Sequence, residues 1–218
     1  MIERKDIVWG ICIFLAIVMI LLLYIQYFPP RVTLKNAMEK YRQFSEIQGE
    51  FETGNLIFFS GENFSSKFIR CATNSPWSHI GIIVMRGNIP FLWECDRGNG
   101  MKEGARLIPL KNKFIYYKIG AFAKLTSPIN IENLDQFIRS HMNVDLQTSV
   151  HPYIMSLFSG CQRPENAWYC SELVAKTYQA LGVIPENVCC TSITPKDFFT
   201  GDVEGINLIC TPKIFTVR

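Results

Sequence analysis

Residues 77–95 read WSHIGIIVMRGNIPFLWEC. His79 to Met85 is an apolar, β-branched run that ends at the turn signal Arg86-Gly87-Asn88, and Phe91 to Cys95 is a second apolar run. Gly87-Asn88-Ile89-Pro90 between them reads as a hairpin connection. An antiparallel pair of this kind brings the far end of the second strand back beside the start of the first. Glu94 therefore comes near His79. A carboxylate among Leu92, Trp93 and Cys95 is out of character for an apolar strand, and an imidazole at a strand mouth can point into a cleft while the strand holds its backbone.

Working outward, Asn55–Phe59 follows Gly54 as another strand and closes at Ser60-Gly61. Phe64, Phe68 and Cys71 recur at helical spacing over 64–71. Arg106–Leu110 and Tyr116–Lys124 continue the sheet, and 132–141 is a helix. Residues 143–168 form a long connection, a length at which loops are often functional. Cys170–Leu181 is the clearest helix: Leu173, Val174, Thr177, Tyr178 and Leu181 form one buried face, and Gly182 suits the position just past its end. Thr194-Pro195 opens a final short helix. The class is α+β, with an antiparallel sheet packed on helices.

Cys170 begins its helix. A helix N-terminus carries about half a positive charge and outward-pointing N–H groups, so it favours a thiolate and can hold an oxyanion. A thiol nucleophile needs a base and a group that orients the base. Only three histidines exist. His141 ends a helix, where a cation caps the dipole, and His151 precedes Pro152 in the long connection. His151 could also line a site; His79 is the candidate base, Glu94 the candidate orienting group and Cys170 the candidate nucleophile. Tyr169 is a candidate for stabilising the oxyanion or binding substrate.

The chain has 218 residues, of which 48% are apolar and 19% charged. That excludes a disordered chain and a pure coiled coil. A net charge of +3 gives no support for a nucleic-acid partner. Ile7 to Ile25 carries no charge, enough to cross a bilayer as a helix. Trp9, Tyr24 and Tyr27 sit near its ends, and Pro29-Pro30 follows. The expected organisation is a short tail (1–6), a transmembrane anchor (7–28), a stalk or first helix (29–50) and a folded domain (51–218). Arg31, Lys35, Lys40 and Arg42 outnumber Arg4 and Lys5, which favours a single-pass membrane protein with its domain on the cytosolic side.

Eight cysteines are present, and none form a C-x-x-C pair. No structural zinc site, other metal or cofactor is expected, and the thiols read mostly as free. Asn63-Phe64-Ser65 is a formal glycosylation sequon.

Gly54–Phe59, Trp77–Ile83, Glu94 and the Tyr169-Cys170-Ser171-Glu172-Leu173-Val174 run together resemble the YiiX/YebB-like cysteine hydrolases, circularly permuted papain-fold proteins of the NlpC superfamily with poxvirus relatives. Thr194-Pro195-Lys196-Asp197-Phe198 is similar to their C-terminal Thr-Pro-x-Asp segment. The resemblance covers about residues 50–205. It implies a permuted papain-like fold, in which His79 and Glu94 precede Cys170 along the chain, and it implies the roles of base, orienting group and nucleophile for those three. The expected function is a membrane-anchored thiol hydrolase of amidase or peptidase type, working through a thioester on an amide or ester substrate. The alternatives are a lipid acyltransferase or phospholipase of the same fold, acting on lipids or lipid-linked peptides, and a catalytically silent membrane-anchored interaction protein.

Overall fold

The computed structural model describes residues 4–27, 42–97, 103–142, 144–147 and 167–217. Among these, a seven-stranded sheet dominates, in the order β1-β9-β6-β2-β3-β4-β5. Its strands are β1 (Arg42–Gln43), β2 (Leu56–Phe59), β3 (His79–Arg86), β4 (Ile89–Asp96), β5 (Gly104–Pro109), β6 (Ile119–Ala123) and β9 (Lys213–Thr216). Every pairing is antiparallel except β1 with β9. Two short strands, β7 (Asp145–Leu146) and β8 (Ala167–Trp168), pair in parallel beside it.

Both faces of the central strands are buried, which is why their sequences run apolar instead of alternating. On one face Leu56, Phe58, Ile80, Ile82, Val84 and Trp93 pack with Leu173, Val174 and Tyr178 of helix α5 (Cys170–Ala180). On the other, Ile57, Phe59, Ile83 and Leu92 pack with Ile47, Phe51, Leu110 and Phe114. Polar pegs tie α5 down: Trp93 Nε1 donates to Thr177 Oγ1 at 3.1 Å, and the Tyr178 hydroxyl donates to the Gly54 carbonyl at 2.6 Å.

The remaining helices are α1 (Arg4–Tyr27), α2 (Phe44–Ile47), α3 (Phe64–Thr73), α4 (Ile131–His141) and α6 (Pro195–Thr200). Asn63 caps α3, its side-chain oxygen accepting from Ser66 N at 2.8 Å, so the first residue of the sequon has a structural task. Asn74 ends α3 at φ 46°, the left-handed conformation that Asn tolerates better than most residues. Thr194 and Asp197 cap α6 reciprocally.

Several expectations shift. The N-terminal helix starts at Arg4, so Arg4, Lys5 and Asp6, assigned to the tail, lie in its first turn. Over residues 11–27, whose side chains are described, the apolar groups are largely exposed. On the described residues no helix is long and apolar enough to cross a membrane. Residues 42–50, read as the end of a stalk, belong to the domain: β1 extends the sheet and Ile47 is fully buried. The earlier part of that stalk, together with Arg31, Lys35, Lys40, His151 and Cys161, lies outside the described residues. Cys12, Cys71, Cys95, Cys170, Cys190 and Cys210 are free thiols, whereas Cys189 is disulfide-bonded.

Candidate functional site

The site sits where the ends of β3 and β4 meet the start of α5. The hairpin register pairs Ile82 with Trp93 and Ile83 with Leu92. Continued along the strands, that register sets Glu94 and Asp96 on the same face as His79, within cross-strand reach. The same geometry on the other side of β4 pairs Glu94 directly with Arg106 of β5. Sequence alternation thus delivers an imidazole, two carboxylates and a guanidinium to one corner.

His79 is the first residue of β3 and is 4% exposed. Its Nε2 lies 2.7 Å from Glu94 Oε2. Its ring stacks on Tyr117 with centroids 6.1 Å apart and lies 6.0 Å from Phe59. Cys170 lines the same cavity as His79 and lies close enough to favour the protonated imidazole. With Nε2 taken by Glu94, Nδ1 is the ring nitrogen left for the sulfur. The three residues singled out in the sequence are therefore brought together in the order Cys170–His79–Glu94.

Cys170 and His79 line one cavity with Tyr169, Cys95, Asp96, Tyr117 and the α3 wall. Cys170 is half-buried and opens α5. Tyr169 is the residue before the helix, and its backbone N–H reaches Glu172 Oε2 at 3.4 Å. The segment that delivers Cys170 is anchored to the hairpin: the Cys95 thiol donates to the Trp168 carbonyl at 3.2 Å. Burial pushes that thiol's pKa well up, so Cys95 stays protonated and can act as a donor. His141 lies at the end of α4 with Nδ1 2.9 Å from the Phe137 carbonyl, in keeping with a capping role.

Glu94 is completely buried. Oε2 accepts from His79 and faces Lys113 Nζ at 2.6 Å, while Oε1 accepts from Arg106 Nε at 3.1 Å and NH2 at 2.9 Å. Burial alone would raise the carboxyl pKa. Lys113, the His79 hydrogen bond and charge, and Arg106 outweigh it and bring it down to about 2. For His79, burial and the Lys113 ammonium pull downward. The Asp96 carboxylate, the charge of Cys170 and its hydrogen bond win, and the pKa rises to about 9. The pair is an imidazolium–carboxylate ion pair across the neutral range.

Sequence reasoning missed Arg106, Lys113 and Asp96. Asp96 had a signal, since it follows Glu94 by two residues on a strand and so shares its face. Lys113 had none: in Lys111-Asn112-Lys113 it reads as solvated, yet it is 2% exposed and pairs with both Glu94 and Asp96.

His79, Glu94 and Asp96 also present nitrogen and oxygen atoms within 4.8 Å of one another, a spacing compatible with a metal ion. The chemistry of the surroundings does not fit one. Lys113 contacts both carboxylates, and Arg106 forks onto Glu94. A dication would have to displace a buried ammonium and sit against a guanidinium.

No protein-family model matches the chain. Over 138 residues it is 28% identical to the uncharacterized protein YiiX of Escherichia coli K12, covering 61% of this chain and 60% of YiiX. The chain thus spans less than two thirds of the length of that relative. The crystal structure of the metalloprotein yiiX from Escherichia coli O157:H7, a DUF1105 protein, superimposes with a TM-score of 0.53 at 21% identity. It matches 73% of this chain and 97% of that one. The chain is similar to YiiX over the matched residues and shares the mixed α+β fold of the yiiX structure, a large, mostly antiparallel sheet with helices packed on it.

Proposed function

We propose that this protein is a membrane-anchored thiol hydrolase of permuted papain-like fold, acting on amide or ester substrates through Cys170, His79 and Glu94. The observation that carries the reading is the buried His79–Glu94 ion pair, 2.7 Å long, lining one cavity with Cys170 at a helix start. An imidazolium beside a cysteine is what makes a nucleophilic thiolate at neutral pH.

The Cys170 thiolate attacks the substrate carbonyl carbon, forming a C–S bond and an oxyanion. The backbone N–H of Cys170 and the Tyr169 hydroxyl receive that charge. The intermediate collapses, the C–N or C–O bond breaks, and His79 gives its Nδ1 proton to the leaving group. A water then attacks the thioester carbonyl while His79 takes a proton from it. The C–S bond breaks, the acid leaves, and the thiolate–imidazolium pair is restored. Glu94 keeps its proton-free state throughout and holds the ring.

A second reading, an acyl-lipid substrate, is favoured by the placement of α3. Its residues Ser65, Ser66, Phe68 and Ile69 line the cavity, and the same helix packs against α1, with Lys67 Nζ donating to Gln26 Oε1 at 3.0 Å. The 24-residue α1 would hold such a cleft at a bilayer surface. The metalloprotein description of yiiX is not carried to this chain, because the cations around Glu94 and Asp96 disfavour a metal ion.

Incubating the full-length protein with peptide amides, with activated acyl esters and with phospholipid vesicles tests the function. Turnover of one class, abolished in Cys170→Ala and reduced on the order of 10²–10⁴-fold in His79→Ala, supports it. Fatty-acid release from vesicles alone selects the lipid reading. Absence of turnover in all three, with an unreactive Cys170, overturns catalysis and leaves a silent interaction module.

A further inference from the structure

Glu94 and His79 do not stand alone. Lys113 lies beneath them, its ammonium bridging Glu94 and Asp96 from a position 2% exposed. Arg106 forks onto Glu94 Oε1 and lies 3.8 Å from Asp96. With His79 as imidazolium, the cluster holds three cations and two carboxylates. Cys170 opens onto the cavity that His79 and Asp96 line, so the cluster lies directly behind the nucleophile.

We propose that Lys113 and Asp96 are positioning residues of this site: Lys113 clamps the Glu94 carboxylate onto His79 Nε2, and Asp96 holds Lys113 in place, so that both govern the orientation and charge of the imidazole beside Cys170. The inference rests on the thiol-hydrolase reading of Cys170. Neither side chain touches the substrate carbonyl in this scheme; both act through Glu94 and His79.

The two residues push His79 in opposite senses. The Lys113 ammonium disfavours the imidazolium, and the Asp96 carboxylate favours it. The other groups around the ring are Glu94 and Cys95 on β4, Arg106 on β5, Tyr117 before β6 and Cys170 on α5. A residue that merely fills space would lower stability without moving a titration.

The test is the pH profile of Cys170 alkylation by iodoacetamide in the full-length protein, read by peptide mass spectrometry, with hydrolysis followed alongside. The upper inflection in wild type reports loss of the His79 proton. In Lys113→Met it moves up, and in Asp96→Asn it moves down, each by about one pH unit. Lys113→Arg restores the wild-type position. Hydrolysis in Lys113→Met loses kcat with little change in KM. Asp96 is partly exposed, so its variant keeps the test open if Lys113→Met fails to fold. Unmoved inflections in folded variants, or displacements of the same sign, overturn the proposal. A wild-type Cys170 that alkylates as an ordinary thiol overturns the underlying catalytic reading instead.

Discussion

Glu94 is a single carboxylate with contacts to three cationic side chains, and none of its surface meets water. Glu94→Gln keeps the shape and removes the charge. Three cationic side chains are then left with one carboxylate, Asp96, a loss on the order of 3–5 kcal/mol by chemical denaturation. kcat falls on the order of 10²–10⁴-fold, because the amide no longer favours the imidazolium. Folding stability follows the two titrations. Glu94 titrates low in the fold, so its contribution is present above about pH 4.5 and disappears as pH falls toward 2. His79 titrates high, so its contribution is complete below about pH 6.5 and disappears as pH rises through 9. From this pair, Tm is highest between those limits and declines on both sides; a Tm flat from about pH 4.5 to about pH 9 contradicts the ion pair. His79, Glu94 and Cys170 were legible in the sequence because each was a polar residue in the wrong place for a plain strand or helix. Lys113 and Arg106 were not, because a buried lysine and a solvated one are spelled alike, and the Glu94–Arg106 pairing depends on a register that only the folded sheet defines.

At the scale of elements, α3 forms one wall of the cavity and is held by its cap. Asn63→Ala removes the acceptor for Ser66 N and costs about 1 kcal/mol. Asn63→Asp retains it, and the contrast is measured by urea denaturation. The helices 64–73 and 170–180 follow from spacing and punctuation that local residues carry. The β3–β4 hairpin follows from its turn. By contrast, β1 and β9 are two and four residues long and gain their identity from pairing with each other and with β6. The stalk reading of residues 42–50 failed for that reason: a short polar stretch becomes sheet edge only when the far C-terminus arrives beside it. The disulfide at Cys189 was equally invisible, since adjacent cysteines carry no signal of which partner, if any, the fold brings near.

For the whole molecule, the apolar residues divide between two tasks. One group fills the two faces of the sheet. The other lies exposed along α1, where Phe14, Met19 and Ile20 are each more than 60% exposed. Under the membrane-anchored reading proposed above, this exposed surface is the part that would meet a bilayer. Alkaline carbonate extraction of membranes from cells making the full-length protein is expected to leave it in the pellet, and deletion of residues 1–27 to release it. Full-length protein in the supernatant contradicts an integral anchor. Neither the sheet order nor the meeting of α3 with α1 was legible along the chain, because both depend on contacts between segments far apart in sequence.

The rate of Cys170 alkylation by iodoacetamide, measured from about pH 4 to about pH 10 in the wild-type protein beside His79→Ala, tests the central claim most directly. Wild type is expected to react faster at neutral pH than His79→Ala, which reacts as an isolated thiol whose rate rises toward about pH 8.5. Coincident profiles for the two proteins contradict a thiolate held by His79.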